Sequence, residues 1–326
     1  MIPVRLVSTG KALPSEQLSS EQLDQRLGHA AGHTFKASGV RLRHVAAAAE
    51  TQSQLAAAAL HDALKNASLP ASSIDLLISA CGVQEQALPS TACFIAEQAG
   101  LKPGTPAFDV NASCLSFMAG LRVAAGLLAT GGYTRIALVS SDLASRGVDW
   151  SEPEASLIFG DGAAAVILEK GGAGQGIRAF KLETYPEGRS YCEIRAGGTR
   201  RNPRIGVEPG DFLFRMDGKA VFKLASKLMP SFLSGLMAET GDDLSSIDVV
   251  VPHQASHLGM AHAAKRLGIP AEKVVDIYAT HGNQVAASIP TALHEAVISG
   301  RAKPGTRALL MGTAAGLTIG GLVLDL

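Results

Sequence analysis

The sequence predicts an α/β protein made of two duplicated halves whose strands are buried in layers. Two observations carry this prediction: the chain contains an internal repeat, and apolar strand-like runs alternate with helix-like runs rich in Gly and Ala. Such alternation is typical of parallel β-α-β units covered on both faces. Because 326 residues exceed the usual size of one small domain, we expect two halves, residues 1–170 and residues 171–326.

The repeat relates residues 74–142 to residues 247–312. In the first copy, IDLLISAC leads through a helix-like run to AFDVNASC and then through a second such run to the buried-strand pattern IALVSS. In the second copy, IDVVVPHQAS, VVDIYATHGN and ALLMGT follow one another in the same order. Each half then ends with a further strand-like run, at 163–168 and at 320–326. The repeat therefore predicts that the two halves share one order of elements.

Two segments connect the copies. Residues 171–215 are rich in Gly, Pro and Arg, which predicts a connection with loops. Residues 216–240 start a long amphipathic helix, and this helix is expected to open the second half.

Composition and charge exclude several classes of function. Hydrophobic residues make up 47% and charged residues 18% of the chain, which indicates a sizeable core rather than disorder. The formal net charge is zero, so no large basic field exists for nucleic acid. The first residues lack the pattern of a secretory signal, and no run approaches the roughly 20 apolar residues of a membrane span. We expect a cytoplasmic location.

The cysteines and histidines give no sign of a metal site. The HxxxH pair of His253 and His257 lacks the glutamate of the zinc motif HExxH, because Gln254 follows His253. We expect no metal and no cofactor. No CxxC pair indicates a redox dithiol, so free thiols are expected at all four cysteines, namely Cys81, Cys93, Cys114 and Cys192.

Three polar residues follow predicted strands at positions where helices begin. Cys114 follows FDVNAS, His253 follows DVVVP, and Asn283 follows IYATHG. Functional residues of layered α/β folds gather at such junctions. Cys114 and Asn283 occupy roughly corresponding junctions of the two copies, so a pseudo-twofold axis brings them together, and His253 can reach the same cleft.

These residue types suit acyl-thioester chemistry. A helix N-terminus is expected to lower the pKa of Cys114. His253 can stabilise the thiolate or donate to an acyl oxygen, and the Asn283 amide can donate to the same oxygen. Taken singly, Cys114 is also explained as an apolar filler and His253 as a capping or core histidine. Only their joint placement favours catalysis.

The motifs DVNASC, VPHQAS and HGNQVAASIP resemble the ketoacyl-acyl-carrier-protein synthase III family of the thiolase superfamily. The flanking motifs LPSTAC, LIFGDGAAAVIL, RMDGKAVFKLA and TAAGLTIGG match in the same order. The resemblance covers the whole chain. It implies a thiolase-like, five-layered α-β-α-β-α fold and a homodimer.

The resemblance also implies a two-step reaction. Cys114 takes an acyl group from an acyl-coenzyme A or acyl-carrier-protein donor, and malonyl-carrier protein then loses carbon dioxide and attacks it. His253 and Asn283 hold the malonyl thioester oxygen. The backbone N–H groups of Cys114 and Gly316 form the acylation oxyanion hole. The substrate tunnel is assigned to Leu88, which crosses from the partner subunit, and to Leu115 and Phe222.

The chain departs from the family where well-studied relatives bind coenzyme A. The tryptophan and arginine positions before the TGIxxR-like segment are His33 and Ala37. A second arginine position is Pro153 or Glu154, and a third is Leu258. Fewer guanidiniums for phosphate pairing make priming by short acyl-coenzyme A doubtful and leave an acyl-carrier-protein or larger donor open. Lys265 and Arg266 remain where the family meets its carrier protein, and a solvated helix face explains them equally well.

The residues leave several functions in competition. A decarboxylating condensing enzyme of fatty-acid or polyketide-type synthesis is the first. The second is an acyltransferase of the same fold that passes the acyl group to an alcohol or amine. A binding or scaffolding subunit would be favoured only if Cys114, His253 or Asn283 were missing. A Cys-His-Asn hydrolase fits the residue types but not the surrounding motifs.

Overall fold

The computed structural model describes residues 1–326 and contains two five-stranded sheets, two short two-stranded sheets and ten α-helices. The strands, in chain order, are β1 (Ile2–Pro3), β2 (Arg5–Ala12), β3 (Glu16–Ser19), β4 (Leu42–Val45), β5 (Leu76–Ser79), β6 (Ala107–Asp109), β7 (Arg135–Asp142), β8 (Gly162–Glu169), β9 (Gly176–Thr184), β10 (Cys192–Glu193), β11 (Arg215–Met216), β12 (Val249–Pro252), β13 (Arg307–Ala314) and β14 (Thr318–Asp325). The α-helices are α1 (Ser20–Leu27), α2 (His33–Ser38), α3 (Gln52–Asn66), α4 (Thr91–Gln98), α5 (Ser116–Ala129), α6 (Pro153–Ser156), α7 (Gly218–Ala238), α8 (His257–Leu267), α9 (Tyr278–His281) and α10 (Ser288–Ile298).

The two large sheets repeat one strand order. The first runs β2-β8-β7-β5-β6, with β5 parallel to both β6 and β7 and with antiparallel pairs β7–β8 and β2–β8. The second runs β1-β9-β14-β13-β12, with β12 parallel to β13 and with antiparallel pairs β13–β14 and β14–β9. Thus β5, β7, β8 and β2 correspond to β12, β13, β14 and β9. The short strand β1 joins the second sheet through β9, although it lies at the start of the chain.

The second copy lacks a full counterpart of β6. Only one parallel bridge, Val250 to Val274, forms where the repeat predicts another strand. Beyond this bridge, the side chain of the buried Gln254 forms hydrogen bonds with the next backbone groups of the chain. Its amide donates to the carbonyl of Val275 at 3.0 Å and its oxygen accepts from Ile277 N–H at 3.0 Å. A side chain therefore satisfies the groups that a neighbouring strand would otherwise pair.

The prediction of loops throughout 171–215 is wrong for β9. This nine-residue strand pairs with β14 along its length. Its sequence, GIRAFKLET, has neither a continuous apolar run nor a regular alternation, because two apolar residues separate Arg178 from Lys181. Arg178 is paired with Asp242 and Asp325, which lets a charged residue sit in a strand of a large sheet.

Apolar contacts arrange these elements in five layers. Helices α3 and α4 pack on the outer face of the first sheet. Helices α5 and α10 lie between the two sheets, and α7 packs on the outer face of the second sheet with α8 beside it. The central layer is the most apolar, because both of its helices are covered on two sides. None of the helices is long and apolar enough to cross a membrane.

Candidate active site

A cavity of about 660 Å³ brings together the three residues selected from the sequence. Cys114, His253 and Asn283 all line it. Cys114 lies between β6 and α5, His253 directly follows β12, and Asn283 follows α9. The pseudo-symmetric fold therefore places one thiol, one imidazole and one amide around a shared space.

Cys114 lies in a tight turn two residues before α5, which begins at Ser116. Ser113 adopts a left-handed φ of 54°, and the hydroxyl of Ser116 closes the turn by donating to the Ser113 carbonyl. Burial raises the pKa of the Cys114 thiol to about 11, and Asp142 adds to the rise. The predicted lowering of this pKa is therefore wrong, because burial in the cavity outweighs a helix N-terminus that starts two residues further on.

His253 is buried and uncharged at neutral pH. Burial lowers the pKa of its imidazole to about 4. Its Nδ1 has no hydrogen-bond partner in the protein. Gly312 of β13 permits its position, because a Cβ there would lie 2.6 Å from the Cβ of His253. A neutral imidazole offers one donor and one acceptor to a substrate.

The backbone holds Asn283 on both sides. Its N–H donates to the carbonyl of Ile158 at 2.8 Å, and its carbonyl accepts from Gly160 at 3.1 Å. Its side-chain oxygen accepts from the N–H of Val285 at 2.9 Å, where the backbone is left-handed with a φ of 52°. Its Nδ2 makes no hydrogen bond within the protein, so the amide can donate to a ligand.

The oxyanion donor expected at Gly316 stays a prediction, and the neighbouring Ala315 is a second candidate. The backbone groups of Ala315 and of Cys114 itself both lower the pKa of the Cys114 thiol and so partly offset its rise by burial. Ala315 lines the cavity, whereas Gly316 does not. With a φ of 114°, Gly316 turns the chain between β13 and β14 instead.

The three residues assigned to the substrate tunnel have different positions. Leu115 is fully buried in the core between the sheets and does not line the cavity, so its assignment is wrong. Its side chain packs against Gly312 and Gly320, which leave space for it. Leu88 is 82% exposed on the surface of the subunit. Phe222 lines a second cavity, where its ring lies 5.0 Å from that of His262.

The second cavity, of about 740 Å³, lies between α7 and α8 and meets the first at His253. Its lining is mostly apolar. Arg266 lines it and is exposed together with Lys265 in the last turn of α8. Glu154 and the 73% exposed Leu258 also line it, and Glu154 accepts a hydrogen bond from Gly218 N–H at 2.7 Å.

Sequence reasoning missed two groups of the first cavity. Asp142 is the last residue of β7 and lines the cavity. A carboxylate at the end of a predicted buried strand is a sequence signal that identifies it as a candidate. Cys192 also lines the cavity, but it lies within residues 171–215, for which the sequence predicts loops. No group of three or more His, Cys, Asp or Glu side chains is placed to hold a metal ion.

Comparisons with known proteins agree with this architecture. The family described as 3-oxoacyl-[acyl-carrier-protein (ACP)] synthase III matches residues 108–186, and the C-terminal part of the same enzyme matches residues 237–326. A beta-ketoacyl-[acyl-carrier-protein] synthase III from Neisseria meningitidis is 34% identical over 321 residues, which is 98% of each chain. The chain belongs to the 3-oxoacyl-[acyl-carrier-protein] synthase III family. It is accordingly an acyltransferase of the condensing-enzyme type.

Solved synthase III structures confirm the predicted thiolase-like fold. The enzyme from Pseudomonas aeruginosa is 32% identical with a TM-score of 0.88, covering 99% of this chain and 98% of that one. The enzyme from Thermus thermophilus is 30% identical with a TM-score of 0.89, covering 98% of both chains. Five layers and two duplicated halves are thus common to this chain and to the synthase III family.

Proposed function

We propose that this synthase III forms an acyl-thioester on Cys114 and condenses that acyl group with malonyl-carrier protein. One observation carries the proposal: a single cavity is lined by Cys114, His253 and Asn283, and a second cavity meets it at His253. This arrangement offers separate spaces to two substrates at one reacting centre.

In the first step, the sulfur of Cys114 attacks the carbonyl of an acyl-thioester. Cys114 is a thiol at neutral pH, so a base must take its proton, and the neutral imidazole of His253 lines the same cavity. The N–H groups of Cys114 and Ala315 are the candidate donors to the acyl oxygen. The proton then passes to the departing thiolate, which restores neutral His253.

In the second step, the malonyl thioester occupies the second cavity. Carbon dioxide leaves, and the electrons of the broken carbon–carbon bond form an enolate. The Nδ2 of Asn283 and the N–H of neutral His253 donate to the enolate oxygen, where charge develops. The enolate carbon attacks the acyl carbon, and the Cys114 thiolate leaves, giving a 3-oxoacyl product on the carrier of the kind used in fatty-acid synthesis.

A carrier protein is the donor that the surface supports best. Glu154 and Leu258 line the second cavity, and the family resemblance places arginines for coenzyme A at Leu258 and at Pro153 or Glu154. Neither α7 nor α8 contains an acidic residue, and Lys265 and Arg266 are exposed beside the opening. A cationic face around an apolar channel suits an anionic carrier that delivers an acyl chain.

The active unit in this proposal is a homodimer. Leu88 is exposed on the isolated subunit, and the neighbouring Val83 is also more than half exposed. Val83 also lines the Cys114 cavity. A partner subunit that covers this side would exclude water from the acyl-enzyme, and its own Leu88 would then wall the acyl pocket.

The test is a product assay with matched donors. Acyl-carrier protein and acyl-coenzyme A of equal chain length are each supplied with malonyl-carrier protein, and carbon dioxide and 3-oxoacyl product are measured. We expect both products, with a higher rate from the carrier-protein donor. Acyl transfer to an added alcohol or amine without carbon dioxide release would instead establish the non-condensing acyltransferase.

A further inference from the structure

The carboxylate of Asp142 ties the two halves together beside the reacting groups. It lies at the end of β7, is 2% exposed and lines the Cys114 cavity. Its oxygens accept hydrogen bonds from Gly82 N–H at 2.9 Å and Val83 N–H at 3.0 Å in the first half. They also accept from Ala286 N–H at 3.1 Å in the second half. One buried side chain thus bridges the loops on both sides of the cavity.

The bridge to Ala286 fixes the loop that orients Asn283. Val285 lies between these two residues in a left-handed conformation, which a β-branched residue adopts only when its surroundings enforce it. Its N–H in turn holds the side-chain oxygen of Asn283. Gly82 allows the close approach, because a Cβ there would lie 2.5 Å from a Val285 methyl group. Asp142 therefore supports the amide that faces the cavity.

The same carboxylate also acts on Cys114. Its negative charge adds to burial in raising the pKa of the Cys114 thiol. Burial raises the pKa of Asp142 itself to about 8, so Asp142 is ionised throughout the alkaline range in which the thiol titrates. The other titratable or charged groups around this space are Cys81 behind Asp142, and Glu85, Arg146, Cys192, Glu193 and His253 in the cavity lining.

We propose that Asp142 is a positioning residue whose carboxyl group fixes the Val285–Ala286 loop, and with it the amide of Asn283, at the cavity that Cys114 lines. The proposal rests on the function proposed above. It gives Asp142 opposite effects on the two steps: the side chain supports decarboxylation through Asn283, and above its own pKa of about 8 its negative charge makes the sulfur less reactive. A side chain that served the fold alone would not have this pair of effects.

The first arm of the test is a double-mutant cycle on malonyl decarboxylation. Asp142→Asn keeps the size of the side chain but points an NH₂ group at backbone donors, so the loop loses part of its support. At pH 9, where Asp142 is ionised, we expect the decarboxylation rate to fall about tenfold or more in the wild-type background. In the Asn283→Ala background, the same substitution should change the residual rate by less than about twofold, because Asp142 acts through Asn283.

The second arm measures iodoacetamide alkylation of Cys114 against pH, with the modified peptide identified by mass spectrometry. Above about pH 9, where Asp142 is ionised, Asp142→Asn should move the alkylation profile about one unit toward lower pH, since a like charge is removed. The shift should persist in the Asn283→Ala background. This arm needs no carbon–carbon bond formation, so it stays informative if wild-type enzyme fails to decarboxylate malonyl-carrier protein, a result that would refute only the proposed function.

Asp24→Asn is the matched control. Asp24 is equally buried and accepts backbone hydrogen bonds from Gly32 and Thr34, but it lines neither cavity. Asp24→Asn should lower thermal stability but change neither the decarboxylation rate nor the alkylation profile of Cys114. Equal losses of decarboxylation from Asp142→Asn in both backgrounds, or an unmoved alkylation profile, would overturn the proposal. The same pair of effects from Asp24→Asn would overturn it as well.

Discussion

Ionisation of Cys114 is the first property that follows from single residues. Because burial and Asp142 raise the pKa of the free thiol to about 11, its thiolate fraction at neutral pH is small and grows with pH. Alkylation of Cys114 by iodoacetamide should therefore keep accelerating up to pH 10, by about tenfold per pH unit above pH 9, where Asp142 is already ionised. A plateau reached by pH 8 would show that the thiol ionises near neutrality, as a helix N-terminus alone would suggest.

Substitutions of Leu115 and Phe214 distinguish a residue that fills the core from a residue that lines the pocket. Leu115→Ala should lower the free energy of unfolding by about 2–5 kcal/mol and leave the acyl-chain preference unchanged, because its side chain fills the core. Phe214→Ala is the contrast: Phe214 lines the Cys114 cavity, so its truncation should favour longer or bulkier acyl groups. Denaturant unfolding and competition between acyl donors measure the two effects. A changed chain preference in Leu115→Ala alone would restore Leu115 to the tunnel.

At the level of elements, the side chain of Gln254 makes the hydrogen bonds that a neighbouring strand would otherwise make. Its buried side chain satisfies the carbonyl of Val275 and the N–H of Ile277, which no neighbouring strand reaches. Gln254→Met should leave both groups unpaired and lower the free energy of unfolding by at least about 1–3 kcal/mol. The loop toward Asn283 should loosen, so decarboxylation should fall as well. Wild-type stability in this variant would mean that the backbone finds other partners.

The same elements show how much of the fold can be predicted from the sequence. The uniformly apolar runs of β5, β7, β8 and β13 were predicted because a strand covered on both faces must be apolar throughout. The sequence does not predict strand β9, because the partners of its Arg178 are Asp242 and Asp325, which are distant in sequence. The missing counterpart of β6 depends on Gln254, and no period in the sequence reports such a side-chain contact.

The sequence likewise predicts some features of the site and not others. The strand–helix junctions located Cys114, His253 and Asn283, since junction residues of duplicated halves meet across the pseudo-twofold axis. The ionisation of Cys114 was not predictable, because it depends on burial. The position of Ala315 in the cavity lining, where the sequence points to Gly316, depends on where the β13–β14 turn lies. The boundary between residues 170 and 171 stays a prediction.

For the whole molecule, Leu88 tests the homodimer. A leucine that is 82% exposed on one subunit becomes buried if it enters a partner's acyl pocket. Leu88→Asp should weaken the dimer and slow acylation, as measured by sedimentation and intact-protein mass. Ile298→Asp is the control, because Ile298 is an exposed apolar residue at the end of α10 that lines neither cavity. An unchanged dimer in Leu88→Asp would contradict this role.

The central claim is that groups from both halves divide two steps of one reaction. Intact-protein mass spectrometry follows it directly, first after addition of an acyl donor and then after malonyl-carrier protein. Wild-type enzyme should gain one acyl group and lose it as product appears. Cys114→Ala should gain none, while His253→Ala and Asn283→Ala should acquire the acyl group, His253→Ala more slowly, and retain it. Stable acylation of Cys114→Ala, or release at the wild-type rate by both other variants, would contradict the account.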